Sequence, residues 1–374
     1  MKFTVNTKAL KEWLDIVNHA TASITTTPIL ENILIKVNFN NIVLTSNNLE
    51  MAIEYVISED ITIDIEWSFS IPSKIFTSFI SLIQDDNVSI ELLSNDSIEV
   101  KTENDNIKIK WIEASEFPLI PSIKEENSLN INWKVIKKSI EKTLFSAAEW
   151  NIRPTLAWLY VNFESDSITF ASTDSFRLSE YKTNINSDID SNINQIIPSK
   201  TTSELSRIIK DDDNVKIIIW DNQIAFLFWN TKFYSRLLNG KFPDYQSFFP
   251  TTYSTKWVVN RSDLIQALKK INLISRENNY SIKMTLSTED WILLETSETQ
   301  IWEWKVSLVW AVEWEDNIVW INSTYFLEVL WTIETTHVSI SFESALAPIL
   351  INPVEDGDKK QDWEFRHIIM PLKI

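Results

Sequence analysis

Few residues in this 374-residue chain are arranged for bond-making chemistry. Its three histidines, His19, His337 and His367, lie far apart without the short spacings that hold zinc, so each reads as a structural or surface residue. Asp211-Asp212-Asp213 has the charge for Mg²⁺, but an acidic run after a helical segment reads as a solvated loop. No phosphate-cradling Walker loop is present; even with glycine at each tryptophan, Trp302-Glu303-Trp304-Lys305 lacks the spacing. The absence of cysteine excludes disulfides and thiolate metal sites. A nuclease or glycosidase stands as the enzyme alternative, but the expectation is a protein with no catalytic site, no metal and no cofactor.

The chemistry that the sequence does organise is electrostatic. Six helical segments, 7–19, 73–84, 132–149, 199–210, 261–276 and 323–333, hold fourteen Lys and Arg against seven Asp and Glu. The whole chain holds 34 against 52, a net charge of -18. Such a balance argues against gripping nucleic acid with the entire surface, because phosphates are repelled at long range. Cations gathered on one class of element instead suit helices that face a polyanion while the acidic remainder faces solvent.

Those helices recur. Ile71-Pro72-Ser73-Lys74 returns as Ile197-Pro198-Ser199-Lys200 and weakly as Ile321-Asn322-Ser323-Thr324. Glu116-Phe117-Pro118 returns as Lys241-Phe242-Pro243, and Pro28-Ile29-Leu30 as Pro154-Thr155-Leu156. One period of about 125 residues fits all of them, so three equivalent domains are expected at 1–125, 126–251 and 252–374. Each reads as a short strand, a helix, several alternating strands, a second helix and further strands. In the first, Ala9, Leu10, Trp13, Leu14 and Val17 keep helical spacing, and Ser73 opens a helix carrying Ile75, Phe76, Phe79, Ile80 and Ile83 on one side. Two helices on one face of antiparallel sheets make each unit an α+β domain. Residues 356–360 read as a solvated turn before the last strand.

With 44% hydrophobic residues and no uninterrupted apolar run of membrane-spanning length, the expectation is a globular cytoplasmic protein. Glycine is the anomaly: 2 Gly stand beside 17 Trp, against a usual glycine share of about 7%. Trp220-Asp221-Asn222 and Trp229-Asn230-Thr231 fall between strand-like runs, where tight turns ask for positive φ. A gene that uses UGA for glycine, translated with UGA as tryptophan, would give this pattern; the alternative is a naturally Trp-rich surface.

Three segments, Asn239-Gly240-Lys241-Phe242-Pro243-Asp244-Tyr245, Thr173-Asp174-Ser175-Phe176-Arg177-Leu178 and Met370-Pro371-Leu372-Lys373-Ile374, read as the lining of one pocket. In that order, and from Met1-Lys2-Phe3-Thr4-Val5 to the last residue, the chain resembles the β subunit of bacterial DNA polymerase III, the replicative sliding clamp. Trp67, Trp111, Trp158, Trp220 and Trp310 fall at or near usual glycine positions of that family. The resemblance implies three clamp domains per chain forming half of a closed ring, a head-to-tail homodimer with helices lining the hole, duplex DNA encircled without regard to sequence, and no enzymatic activity. It places Lys137, Lys138, Lys142, Lys200, Arg207, Lys210, Lys269 and Lys270 facing the duplex, with Ile24 where the family often has a basic loop residue. Leu156, Thr173, Ser175, Phe176, Arg177, Leu178, Pro243, Phe248, Ile368, Met370, Pro371 and Leu372 match the family's groove for linear peptides of the polymerase catalytic subunit, clamp loader and repair proteins. Aliphatic walls and a flexible Met suit varied apolar anchors, and Arg177 is expected to orient the peptide. Ser175 and Phe176 depart from the Gly and polar or basic residue frequent there. Ile107, Leu273 and Ile274 map onto the dimer contact. The alternative reading is a peptide-binding repeat scaffold that does not encircle DNA.

Overall fold

In each repeat the first helix begins just after an asparagine. Asn6 Oδ1 accepts from Ala9 N at 3.1 Å, Asn132 Oδ1 from Lys134 N at 3.0 Å, and Asn260 Oδ1 from Ser262 N at 2.9 Å. Each bond satisfies a helix-end donor that has no partner within the helix. The computed structural model describes residues 2–373 apart from 24, 60, 94–96, 121–122, 150–151, 153–155, 186–191, 239, 288–290, 297–304, 310–311, 315 and 355–361. The expectations placed on Ile24, Pro154, Asn239, Trp302, Trp310, residues 356–360 and Ile374 lie outside the described residues.

Six α-helices are described: α1 Thr7–Asn18, α2 Ser73–Leu82, α3 Trp133–Thr143, α4 Ser199–Ile208, α5 Arg261–Ser275 and α6 Ser323–Thr332. α1 buries Thr7, Leu10, Leu14 and Val17, a single stripe that lies on the strands Asn41–Asn47 and Met51–Ile57. Each fully buried aliphatic side chain of this kind contributes about 1.5–3 kcal/mol. α2 buries Phe76 and Ile80, but Ile75 is 54% and Leu82 79% exposed. Ile75 therefore leaves the apolar face on which the sequence pattern puts it.

The chain divides into two compact units that do not follow the repeat. One comprises Met1–Lys134 with Lys200–Leu238, the other Val135–Ser199 with Asn239–Ile374. The reason is backbone pairing. In the first unit Met51–Ile57 of the first repeat pairs antiparallel with Thr231–Arg236 of the second, from Tyr55 opposite Thr231 to Met51 opposite Ser235. In the second unit Arg177–Asn184 of the second repeat pairs with Trp363–Ile369 of the third, with Arg177 opposite Ile369. Each junction fuses strands of two repeats into one nine-stranded sheet. A five-stranded sheet completes the first unit and a four-stranded sheet the second.

The tryptophans divide by environment. Trp133 and Trp257 fill core positions at 0% and 1% exposure. Trp229 occupies the two-residue turn between paired Phe228 and Thr231 with φ 44°, and is 51% exposed. A bulky side chain in the left-handed region costs roughly 1–2 kcal/mol. At the neighbouring hairpin the positive φ, 49°, falls on Asp221; Trp220 is the last strand residue, opposite Gln223, and does not supply the turn that its place in the sequence suggests. Trp67 is 47% exposed and meets Trp111 edge-on at 6.5 Å. The buried indole N–H groups of Trp111, Trp133, Trp158 and Trp257 have no acceptor among the described residues, each a cost of about 1–3 kcal/mol. If UGA encodes glycine here, intact protein from the native host is lighter than the 17-Trp chain by the Trp–Gly mass difference at each recoded position; a mass matching all 17 Trp ends that explanation. Trp229→Gly should raise stability by about 1 kcal/mol in a denaturant titration, because glycine occupies positive φ without strain.

Candidate partner groove and nucleic-acid face

A tight turn, 173–177, carries Thr173, Ser175, Phe176 and Arg177, four of the residues expected to line the groove. Asp174 Oδ1 accepts from Phe176 N at 2.8 Å and Arg177 N at 3.0 Å, and Thr173 Oγ1 accepts from Ser175 N at 3.1 Å. Ser175 sits at φ 78°, the conformation that favours glycine, which explains why a small residue belongs there. Phe176 is consequently thrown outward, 46% exposed. Beyond the pairing of Arg177 with Ile369 and Leu178 with Ile368, Met370 N donates to Phe176 O at 2.7 Å, and Leu372 N donates to Trp320 O at 2.8 Å. The C-terminal segment is thereby laid alongside the turn. Leu178 and Ile368, opposite each other in the sheet, are each 2% exposed, while Leu156, Thr173, Met370, Pro371 and Leu372 are half-buried. Pro243 and Phe248 are exposed on the segment that follows Gly240, Phe248 at 51%.

That segment is fastened to the same strand pair. Tyr245 Oη donates to Glu180 Oε2 at 2.7 Å, and Gln246 donates to the same oxygen. Arg366, opposite Glu180 in the sheet, donates from Nε to Glu180 Oε1 at 2.9 Å and lies over the Phe249 ring at 4.1 Å. Burial, reinforced by the Glu180 carboxylate, drives the Tyr245 phenol far above its ordinary range, so it stays a donor.

Arg177 plays a part different from the one its sequence position suggests. Its guanidinium is 9% exposed, donates from Nε to Asp174 at 3.0 Å and from Nη1 to Glu328, and stacks over Tyr325 at 4.5 Å. It is a strut tying the turn to α6 rather than a free peptide ligand. Behind it His367 is fully buried: Nδ1 lies 2.7 Å from Ser179 Oγ, which lies 2.7 Å from Ser146 Oγ, and the ring stacks on Phe145 at 5.5 Å. Burial, then the Arg177 charge, hold the imidazole well below its ordinary pKa of 6.5. His19 Nδ1 lies 2.6 Å from Glu204 Oε2, joining the end of α1 to α4. No group of three His, Cys, Asp or Glu able to hold a metal occurs among the described residues.

Of the eight residues expected to face a duplex, Lys200, Arg207, Lys210, Lys269 and Lys270 are exposed and Lys137 and Lys138 half-buried. Arg207 pairs with Glu204 at 3.0 Å and Lys138 with Glu334 at 3.3 Å. Lys142 departs from the expectation. It is 5% exposed, its Nζ donates to Glu334 at 2.8 Å and to Thr332 O, and burial lowers its pKa against the opposing pull of Glu334. A cation so enclosed fastens α3 to the end of α6 and offers nothing to phosphate. Sequence spacing could not separate it from Lys138, because both sit on the same helix.

Above about pH 6.5 the His367 imidazole is neutral in folded and unfolded chain alike and adds no pH dependence. Below it the unfolded chain binds a proton that the folded chain refuses, so stability falls as pH drops, by up to about 1.4 kcal/mol per pH unit from this group. His367→Phe, which retains an aromatic ring beside Phe145, should remove that part of the slope between about pH 6.5 and 5.5 in denaturant titrations. Equal slopes in the two proteins would refute the assignment.

Comparison with known proteins agrees over the full length. Models of the DNA polymerase III beta subunit match in sequence order: the N-terminal domain over residues 1–121, the central domain over 130–244 and the C-terminal domain over 246–372. The chain is 27% identical over 365 residues to the beta sliding clamp of Bacillus subtilis, covering 95% of this chain and 97% of that one. It is 26% identical over 381 residues to the beta sliding clamp of Staphylococcus epidermidis, covering 100% and 99%. Among solved structures it superposes on the Bacillus subtilis DNA polymerase sliding clamp with TM-score 0.93 at 27% identity, over 100% of this chain and 99% of that one. The beta subunit of Streptococcus pyogenes DNA polymerase gives 0.91 at 25%, over 100% of both. Repeats, sheets and matched domains converge on one conclusion: the chain belongs to the DNA polymerase III beta subunit family, the non-catalytic sliding clamps of DNA replication.

Proposed function

We propose that two copies of this chain close head to tail around duplex DNA and hold the replicative polymerase on it. The observation that carries this reading is a pairing left open. Two repeat junctions are made by the same pair of elements: a strand of one repeat, Met51–Ile57 or Arg177–Asn184, pairs with the last strand of the next, Thr231–Arg236 or Trp363–Ile369. The third copies of these elements, Lys305–Val309 and Asn106–Lys110, are edge strands of the four- and five-stranded sheets. An open edge invites a partner strand. Pairing each edge with its counterpart on a second copy gives a six-repeat ring without a free end.

Exposed apolar side chains accompany both edges. Leu82 on α2 is 79% exposed in the unit that holds Asn106–Lys110, and Leu273 on α5, a helix lying against Lys305–Val309, is 82% exposed. With half-buried Ile107 and Ile274 they would form the apolar centre of the dimer contact. Lys200, Arg207, Lys210, Lys269 and Lys270 remain the cations best suited to the duplex, joined by Lys137 and Lys138, with Lys142 set aside. The groove beside turn 173–177 takes linear peptides of the polymerase catalytic subunit, clamp loader and repair proteins: Phe176, Phe248 and Met370 offer apolar surface over a buried aliphatic floor. Family membership favours this clamp over the scaffold alternative, and a role on chromosomal DNA fits a cytoplasmic location.

The native chain should run in solution at twice its single-chain mass. Leu273→Asp, changing a side chain outside the core, should shift it to single chains without loss of fold. Loaded wild-type protein should stay on nicked circular DNA and leave when the circle is cut. A single-chain mass for the wild type, or indifference to linearisation, would overturn the ring.

A further inference from the structure

The turn beside the groove has a structural twin. In the first unit, residues 47–51 reproduce turn 173–177 bond for bond. Asn48 Oδ1 accepts from Glu50 N at 3.1 Å and Met51 N at 2.9 Å, as Asp174 does from Phe176 and Arg177. Asn47 Oδ1 accepts from Leu49 N at 2.8 Å, as Thr173 does from Ser175. Leu49 has φ 73° against 78° for Ser175. Arg236 N donates to Glu50 O at 2.8 Å where Met370 N donates to Phe176 O. The same backbone seat is thus built twice from unlike side chains.

At this second seat a cavity of about 510 Å³ opens, lined by Leu49, Glu50, Met51, Leu119 and Tyr234 among others. Leu49 and Leu119 are 58% and 92% exposed, so two leucines face water beside it. Holding Leu49 at positive φ is costly for a non-glycine residue, and the cost is borne by a side chain that buries little. Ala52 stands where the groove has Leu178, which deepens the floor, and Arg236 stands where it has Met370. Three charged residues line the cavity, Glu50, Asp221 and Arg236, leaving one net negative charge on a chain of net charge -18. Neither Glu50 nor Asp221 forms an ion pair with a described residue. That field repels acidic segments and attracts basic ones.

We propose that the cavity beside turn 47–51 is a second peptide seat, which takes an extended segment of a partner protein carrying an aliphatic anchor next to lysine or arginine. The proposal rests on the reading of turn 173–177 as a peptide groove, since it assigns the same use to the same backbone. Two seats per chain would let one partner stay docked while another exchanges, and their unlike floors and charges would rank the same peptides differently without excluding an aliphatic, basic one from either.

The test uses the full chain and a fluorescein-labelled decapeptide of alternating leucine and lysine, with a leucine–glutamate decapeptide as the contrast, read by calorimetric stoichiometry and anisotropy. The lysine peptide should fill two sites per chain, and the glutamate peptide should bind the second seat at least about ten-fold more weakly. Leu49→Gly with Leu119→Ser should remove one site and leave the other; Phe248→Ser with Met370→Ser should do the converse. Leu49→Gly suits the backbone at φ 73°, so loss of binding in that variant does not report unfolding, and a melting temperature no lower than that of the wild type checks this. One site lost only in the Phe248/Met370 variant overturns the second seat and leaves the groove standing. One site lost only in the Leu49/Leu119 variant supports the seat and overturns the groove. No binding of the lysine peptide, equal binding of the glutamate peptide, or a Leu49/Leu119 variant that changes only the oligomeric state overturns the proposal.

Discussion

Backbone pairing between repeats is the constraint from which the rest of the molecule follows. A strand edge exposes unpaired N–H and C=O groups, and Met51–Ile57 and Arg177–Asn184 would each end a sheet if the next repeat did not supply Thr231–Arg236 or Trp363–Ile369. Because hydrogen bonds continue across each junction, a repeat is not a folding unit. The central repeat is shared: Asn127–Asn132, Asn214–Trp220, Gln223–Phe228 and Thr231–Arg236 belong to one nine-stranded sheet, while Trp158–Phe163, Ser167–Thr173, Arg177–Asn184 and Ile193–Pro198 belong to the other. The same pattern applied a third time leaves Asn106–Lys110 and Lys305–Val309 as edge strands among the described residues. Exposed Leu82 and Leu273 are the apolar side chains on which the proposed ring contact draws.

The groove inherits its geometry from the second junction. Pairing of Arg177 with Ile369 fixes where the C-terminal segment runs, and the bond from Met370 N to Phe176 O carries that register one step past the sheet. Holding a turn with a residue at φ 78° needs rigid surroundings, and the buried charges provide them. Arg177 ties Asp174 to Glu328, and Glu180 gathers Tyr245, Gln246 and Arg366. The Glu180 carboxylate receives donors on both oxygens, so the buried group leaves no lone pair facing an apolar wall.

Much of this was legible in the sequence. The repeat emerged from Ile-Pro-Ser-Lys, Phe-Pro and Pro-x-Leu at one period, and the helices from apolar residues at three- and four-residue spacing. Asn6, Asn132 and Asn260, each opening the first helix of its repeat, were a further signal of the same period that went unused. What periodicity cannot supply is the identity of a partner. It places Ile75 with Phe76 and Ile80 on α2, yet only the latter two are buried. It treats Lys138 and Lys142 alike, yet Lys142 is enclosed because Glu334 and Thr332 O, almost two hundred residues away, converge on it. Nor does it show that Arg177 is held by Glu328, on a different repeat. Trp220 was assigned to a turn by its neighbours; pairing register, which depends on the opposite strand, moved the turn to Asp221. These errors share one origin: local pattern fixes the face of an element, and only tertiary contact decides what that face meets.

Charge distribution completes the physical case. Repulsion between DNA and a chain of net charge -18 is felt within about 8–10 Å in physiological salt and largely screened beyond it, so whatever attraction exists must come from cations presented at close range. α3 carries Lys134, Lys137, Lys138 and Lys142 against Glu141 alone, and α5 carries Arg261, Lys269 and Lys270 against Asp263 alone. Some of that charge is internally spent: Lys142 and Lys138 on Glu334, Arg207 on Glu204. Affinity for phosphate grows with the number of neutralised contacts, and a protein that must move along DNA is impeded by many of them. A small surplus of cations on the helices of an acidic chain is therefore a poor design for a protein that holds DNA by contact. It suits the proposed ring, where retention would come from closure and the helices would need only weak contacts with phosphate.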